Sequence, residues 1–189
     1  MTGAIAGRAL GTVALAALAW MVATNGLALP SGAILGFLHI IDLVFHEAGH
    51  VVFGFFGRFV GVLGGSLNQI LVPLACTVAF VVKRQVAAAA VTLFWTGQSL
   101  ADVAVYVADG KAMALPLLAD GLIHDWNFVL GTLGWLDYAG RLGGITFGLG
   151  VVTMLAACAL LALDFWAACS APRPAHGLPA DRAIDSERG

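Results

Sequence analysis

Apolar stretches long enough to cross a bilayer, separated by short polar breaks, dominate this chain. A transmembrane helix needs about 20 predominantly apolar residues. The first candidate runs from Ala4 to Leu29 and is closed by Asn25-Gly26 and Pro30. Arg8 and the small residues after it also fit a cleaved signal peptide, but the apolar run is long for an h-region, which favours a retained helix. The second span covers Ala33–Phe56, and the third, shorter one covers Leu67–Val82, with Pro73 inside it and Lys83-Arg84-Gln85 behind it. The fourth runs from Val86 to about Val107 and the fifth from Ile145 to Cys169. Gly57–Ser66 reads as a turn or a short re-entrant strand pair.

The stretch from Ala108 to Gly144 is too polar to span simply. Within it, Phe128–Leu142 reads as an interfacial or partly inserted helix anchored by Trp126, Trp135 and Tyr138. The expected fold is therefore an all-α, polytopic membrane helix bundle of five transmembrane helices, or six if this segment inserts. Residues 1–169 form the membrane domain, and 170–189, rich in Pro and polar residues, form a disordered tail. Five crossings put Lys83-Arg84 and the tail arginines on one side and Arg8, Arg58, Lys111 and Arg141 on the other. This leans towards a cytoplasmic tail.

Composition narrows the classes further. The 189 residues are 60% hydrophobic and 11% charged, with a net charge of −2 and a mean hydropathy of +0.94. That is too apolar for a disordered chain or a soluble globule. No basic stripe exists to neutralise phosphates, so nucleic acid is not an expected partner. The expected surroundings are the lipid bilayer, with the bacterial cytoplasmic membrane as the location. Cys76, Cys158 and Cys169 show no metal or redox spacing and read as small buried apolar residues.

The chemistry concentrates in the second span, at His46-Glu47-Ala48-Gly49-His50. One of only two glutamates stands between two of the five histidines, in a segment where ionisable groups are costly. On a helix, residues four apart lie on one face about 6 Å along the axis, so both imidazoles reach one Zn²⁺. Glu47 beside them suits a general base that acts on a metal-activated water without itself ligating. His39 and Asp42 share this face. His39, about 10 Å along the axis, fits an outer role, a proton path or interhelical hydrogen bonding.

A catalytic zinc site takes three protein ligands and keeps one position open. The third ligand is sought among Asp102, Asp120, His124 and Asp125. Asp102 belongs to a stripe on the fourth span (Trp95, Gln98, Ser99, Asp102, Tyr106) that must face the bundle interior. In the five-span arrangement the second and fourth spans start from the same side, so the two polar stripes meet at similar depth. His124-Asp125-Trp126-Asn127 is the densest polar cluster outside the HExxH string. Asp125 is the favoured ligand, with a helix N-cap as its alternative role. Asp109 reads as a solvated loop residue or cap. Asn68 and Gln69, at the start of the third span, read as helix-end caps or as donors to an extended peptide.

HEAGH within a membrane helix resembles the site-2 protease family of intramembrane zinc metallopeptidases. The resemblance implies His46 and His50 as zinc ligands, Glu47 as general base, and a third ligand from an aspartate on a later segment. Leu115-Pro116-Leu117-Leu118-Ala119-Asp120-Gly121 echoes the Pro…Asp-Gly half of that family's second motif, without its preceding Asn, which keeps Asp120 in contention. The Gly-rich segment at 57–66 corresponds loosely to a re-entrant hairpin that pairs with substrate. The implied activity is hydrolysis of peptide bonds in or beside the membrane, on a membrane-protein or peptide substrate. The alternative is a non-enzymatic membrane protein whose His cluster binds a structural metal or haem, or specifies helix packing.

Overall fold

The computed structural model describes residues 3–116 and 123–170. The described residues form six α-helices and no strand. α1 spans Gly3–Asn25, α2 Gly32–Phe53, α3 Arg58–Val82, α4 Val86–Asp109, α5 Asp125–Leu133 and α6 Ala139–Ser170, with single 3-10 turns at Gly54–Phe56 and Leu136–Tyr138. Gly3–Asn25, Gly32–Phe56, Arg58–Val82 and Leu136–Ser170 are long and apolar enough to cross a membrane. The fold is an all-α bundle compatible with an integral membrane protein.

α4 is of similar length, at 24 residues, and its polar stripe is buried. Gln98, Ser99 and Asp102 are all at most 5% exposed. Large apolar side chains point outwards instead, such as Phe37, Ile40, Val44 and Val51 on α2 and Ile145, Leu149, Val152 and Trp166 on α6. Apolar exposure around a polar interior is what a hydrocarbon solvent selects.

The boundaries differ from expectation in three places. Gly57–Ser66 is neither a turn nor a strand pair: from Arg58 onwards it is the first turns of α3, which is 25 residues long. Its glycines read as breakers, yet they are where α2 and α3 touch. A Cβ on Gly64 would collide with Phe53 and with the Gly49 carbonyl, and one on Gly49 with the Gly64 carbonyl. Close approach of this kind compensates for the poor helix propensity of glycine. α6 begins at Ala139, ahead of the expected Ile145, and the expected interfacial helix Phe128–Leu142 is divided between the nine-residue α5, which starts at Asp125, and the start of α6. The tail beyond Ser170 lies outside the described residues.

α1, α3, α4 and α6 alternate in direction along a common axis. Arg8 near the start of α1 pairs with Asp164 near the end of α6, which moves Arg8 to the end of the bundle opposite the one expected. α4 and α6 meet through Gly97 against Gly150 and Met154, and through Ala108 against Gly143. α3 and α4 pair through Gln69 with Asp102 and Thr77 with Thr92. The apolar core lies between α1, α4 and α6, around Phe94, Met154 and Leu161.

α2 departs from this axis. Its partners on α4 run backwards: His39 meets Asp102 and Tyr106, and Asp42 meets Ser99 and Trp95. Its partners on α3 also run backwards: Phe45 meets Asn68, His46 meets Gln69 and Gly49 meets Gly64. Three helices cannot all be mutually antiparallel about one axis, so α2 lies across the α3–α4 pair. Leu29 before it, Gly57 after it and Gly110 at the end of α4 line one cavity, so both ends of α2 sit at the same end of the bundle. The expectation that α2 and α4 start from the same side therefore fails.

Candidate metal centre

The helical repeat of α2 brings the imidazoles of His46 and His50 edge to face, with ring centroids 4.8 Å apart and planes 79° to each other. Each ring is held through Nδ1. His50 Nδ1 lies 2.9 Å from the Gly61 carbonyl oxygen, and His46 Nδ1 lies 3.2 Å from Gln69 Oε1. The two Nε2 atoms converge on one carboxylate oxygen. Asp125 Oδ2 is 2.9 Å from His46 Nε2 and 3.1 Å from His50 Nε2. The three ligand atoms lie within 4.8 Å of one another. Ligand atoms about 2.0–2.1 Å from a tetrahedral zinc stand about 3.3 Å apart, close to the separations found.

The donor set fits a metal on electrostatic grounds too. Two Nε2 atoms contacting one carboxylate oxygen need positive charge among them, either as ring protons or as a cation. The facing wall is cut away for it. A Cβ on Gly65 would stand 2.6 Å from His46 Nε2 and 2.7 Å from His50 Nε2. At this position α3 presents bare backbone to the space between the two imidazoles.

α5 delivers Asp125 as its first residue, so the carboxylate is not the N-cap. That position is His124, which makes no side-chain cap bond. Neighbouring side chains dock this helix start onto α3 and α4. Trp126 Nε1 donates to Ser66 Oγ at 3.0 Å, Asn127 Nδ2 donates to the Gly110 carbonyl at 2.8 Å, and the Arg58 guanidinium lies 4.7 Å above the Phe128 ring. Burial pushes the Asp125 carboxyl up, but hydrogen bonding to His46 and His50 outweighs this and leaves it below the usual carboxylate range.

The other third-ligand candidates are not brought to this point. Asp102 faces α2, but one side chain further back: Oδ1 is 2.8 Å from His39 Nδ1, and Oδ2 accepts from Gln69 Nε2 at 2.9 Å. His124 lines the cavity and is not part of the three-residue group. Asp120 lies outside the described residues. Asp109 accepts from the backbone N–H groups of Ala114 and Leu115 and so organises its loop. Asp42 is fully buried and takes hydrogen bonds from Trp95 and Ser99 through one oxygen.

The sequence reading undervalued three residues. Asn68 and Gln69 are mid-helix, not caps: Asn68 donates to the Phe45 carbonyl, and Gln69, 2% exposed, bridges His46 and Asp102. The available signal was a buried amide pair in an apolar run. Gly65 carried no signal beyond belonging to a Gly-rich segment.

Glu47 is exposed and lines a cavity of about 770 Å³ together with His46, His50 and Asp125. Among the described residues it makes no side-chain hydrogen bond. Its carboxylate stands one residue from His46 and faces open space. No family model matches this chain, and no match was found among curated proteins or solved structures.

Proposed function

We propose that this protein is a zinc-dependent peptidase that hydrolyses peptide bonds in or next to the membrane, a minimal relative in kind of the site-2 proteases. The observation that carries this reading is the convergence of His46 Nε2, His50 Nε2 and Asp125 Oδ2 at one point, on the wall of a cavity that also holds Glu47. His46, His50 and Asp125 would hold the metal. Bound there, it would polarise a carbonyl and acidify water.

The chain's own residues account for the remaining requirements. Glu47 accepts a proton from the attacking water and returns it to the leaving amine. The Gly61 carbonyl and Gln69 orient the two imidazoles. The cavity, at about 770 Å³, has room for a short extended peptide. The bacterial cytoplasmic membrane is part of the same proposal.

The test is metal analysis of detergent-purified protein together with cleavage of a labelled transmembrane peptide. About one zinc per chain is expected, lost in His46→Ala and retained in Glu47→Gln, with cleavage abolished in both. Cleavage that survives Glu47→Gln, or wild-type protein that binds no metal, would refute the reading.

A further inference from the structure

Behind His46 runs an unbroken line of polar contacts across three helices. His46 Nδ1 meets Gln69 Oε1 at 3.2 Å, Gln69 Nε2 donates to Asp102 Oδ2 at 2.9 Å, and Asp102 Oδ1 meets His39 Nδ1 at 2.8 Å. Tyr106 Oη lies 3.4 Å from His39 Nε2. Gln69 and Asp102 are 2% and 5% exposed, so water does not mediate between them.

The direction of the Gln69–Asp102 bond sets the protons at Nδ1 of both histidines. An ionised carboxylate only accepts, so Gln69 must turn its NH₂ towards Asp102. Its carbonyl oxygen then faces His46, and Nδ1 of His46 must carry the proton. On the other side, His39 donates through Nδ1 to Asp102, and its bare Nε2 accepts from the Tyr106 hydroxyl. Reversing the Gln69 amide sets its carbonyl oxygen against the Asp102 carboxylate, two acceptors face to face. His50 needs no such device, because its Nδ1 faces a backbone carbonyl that can never donate.

We infer that Gln69 and Asp102 are positioning residues for the metal centre: Asp102 orients the Gln69 amide, and the amide fixes His46 as the Nδ1–H tautomer, leaving Nε2 bare for the metal. This rests on the metal-site reading above for its purpose, though not for its geometry. The two halves of the centre differ in kind, since His50 is set by main chain and His46 by two replaceable side chains.

Exchanging amide and carboxylate between the two positions tests the inference. In Asp102→Asn, His39 claims the Asn oxygen and the Asn NH₂ faces Gln69. The Gln69 amide reverses, and His46 is pushed to the Nε2–H form. Zinc affinity, measured by competition with a chromophoric chelator, should fall about 10–100-fold, the usual cost of losing an outer-shell partner of a metal ligand. The double variant Asp102→Asn/Gln69→Glu restores an acceptor opposite His46 and a donor opposite position 69. It should recover most of that affinity, which a merely structural role for Asp102 does not allow.

The tautomer itself is read by ring ¹⁵N NMR at alkaline pH in an Asp125→Ala background, which removes the competing carboxylate at Nε2. His46 should be Nδ1–H with Asp102 present and Nε2–H with Asn, while His50 stays Nδ1–H in both. If zinc binds none of these proteins, the functional reading fails while the NMR still decides the tautomer. An unchanged His46 tautomer and affinity in Asp102→Asn, or a double variant no better than the single, overturns the inference. Should Asp102→Asn fail to fold, Gln69→Met removes the acceptor at similar volume and should cost zinc affinity by a similar factor. Wild-type affinity there counts against it.

Discussion

Adding one methyl group at Gly65 should abolish metal binding at the proposed centre while leaving the bundle folded. The new Cβ would sit 2.6 Å from His46 Nε2, and 2.7 Å from both Nε2 and Cε1 of His50. Ordinary carbon–nitrogen contact is at about 3.4–3.5 Å, so each ring must retreat by roughly 0.7 Å or more. Neither can do so freely, because both are tethered on the far side through Nδ1. The methyl also occupies the space in which a cation would reach both nitrogens at about 2.0–2.1 Å.

Overpacking of this kind costs typically about 1–3 kcal/mol, and the gain in helix propensity from Gly to Ala returns about 1 kcal/mol. Global stability should therefore change by no more than about 2 kcal/mol, whereas zinc affinity should drop at least about 100-fold through loss of geometry. Gly36→Ala on α2 is the control, since a Cβ there meets nothing within 4 Å. The assay pairs chelator competition with a thermal melt in the same detergent. Zinc bound to Gly65→Ala with wild-type affinity would show that the metal does not lie between the two imidazoles.

Other expectations follow from contacts already described. Trp126→Phe removes the donor to Ser66 while keeping the ring, so Asp125 loses a restraint; zinc affinity should weaken by about 10-fold, as competition titration would show. Gly97→Ala would bring a Cβ to 2.7 Å from the Gly150 carbonyl oxygen and 2.8 Å from Met154; the melt should report a loss of about 1–3 kcal/mol with metal stoichiometry unchanged. In a background lacking the three native cysteines, single cysteines at positions 8 and 84 should label from one side of the membrane, and those at 58 and 111 from the other.

Local features were legible in the sequence. The HExxH spacing is a property of a single helix, and hydrocarbon-length apolar runs announce themselves, so α2 and its two imidazoles needed no tertiary information. The stripe on α4 was legible for the same reason, and its burial follows from periodicity. Asp125 was favoured from the polar cluster His124–Asn127 around it; how Trp126 and Asn127 dock α5 onto α3 and α4 was not legible. Gln69 was opaque because its partners come from two other helices, 23 and 33 residues away. The start of α3 was misread because glycines that permit close helix contact have the same composition as glycines that break helices. The course of α2 was hidden as well, since length and hydropathy describe a crossing and say nothing of the angle at which neighbours hold it.

Because α2 enters and leaves at the same end, it does not change the side on which the chain continues, and the axial helices alone set the parity. α1, α3, α4 and α6 run the length of the bundle an even number of times. Arg8, Lys83 and Arg84 then share one face, and Arg58, Lys111 and Arg141 share the face that carries the cavity. Arg173, Arg182 and Arg188 follow α6 in the sequence and lie outside the described residues. Basic residues are retained on the cytoplasmic side during insertion. With five passages Arg8 would stand at the end opposite Lys83 and Arg84, so the oblique course of α2 decides which basic residues share a face. Glu47 and its cavity lie at the other end of the bundle, with Arg58 beside them.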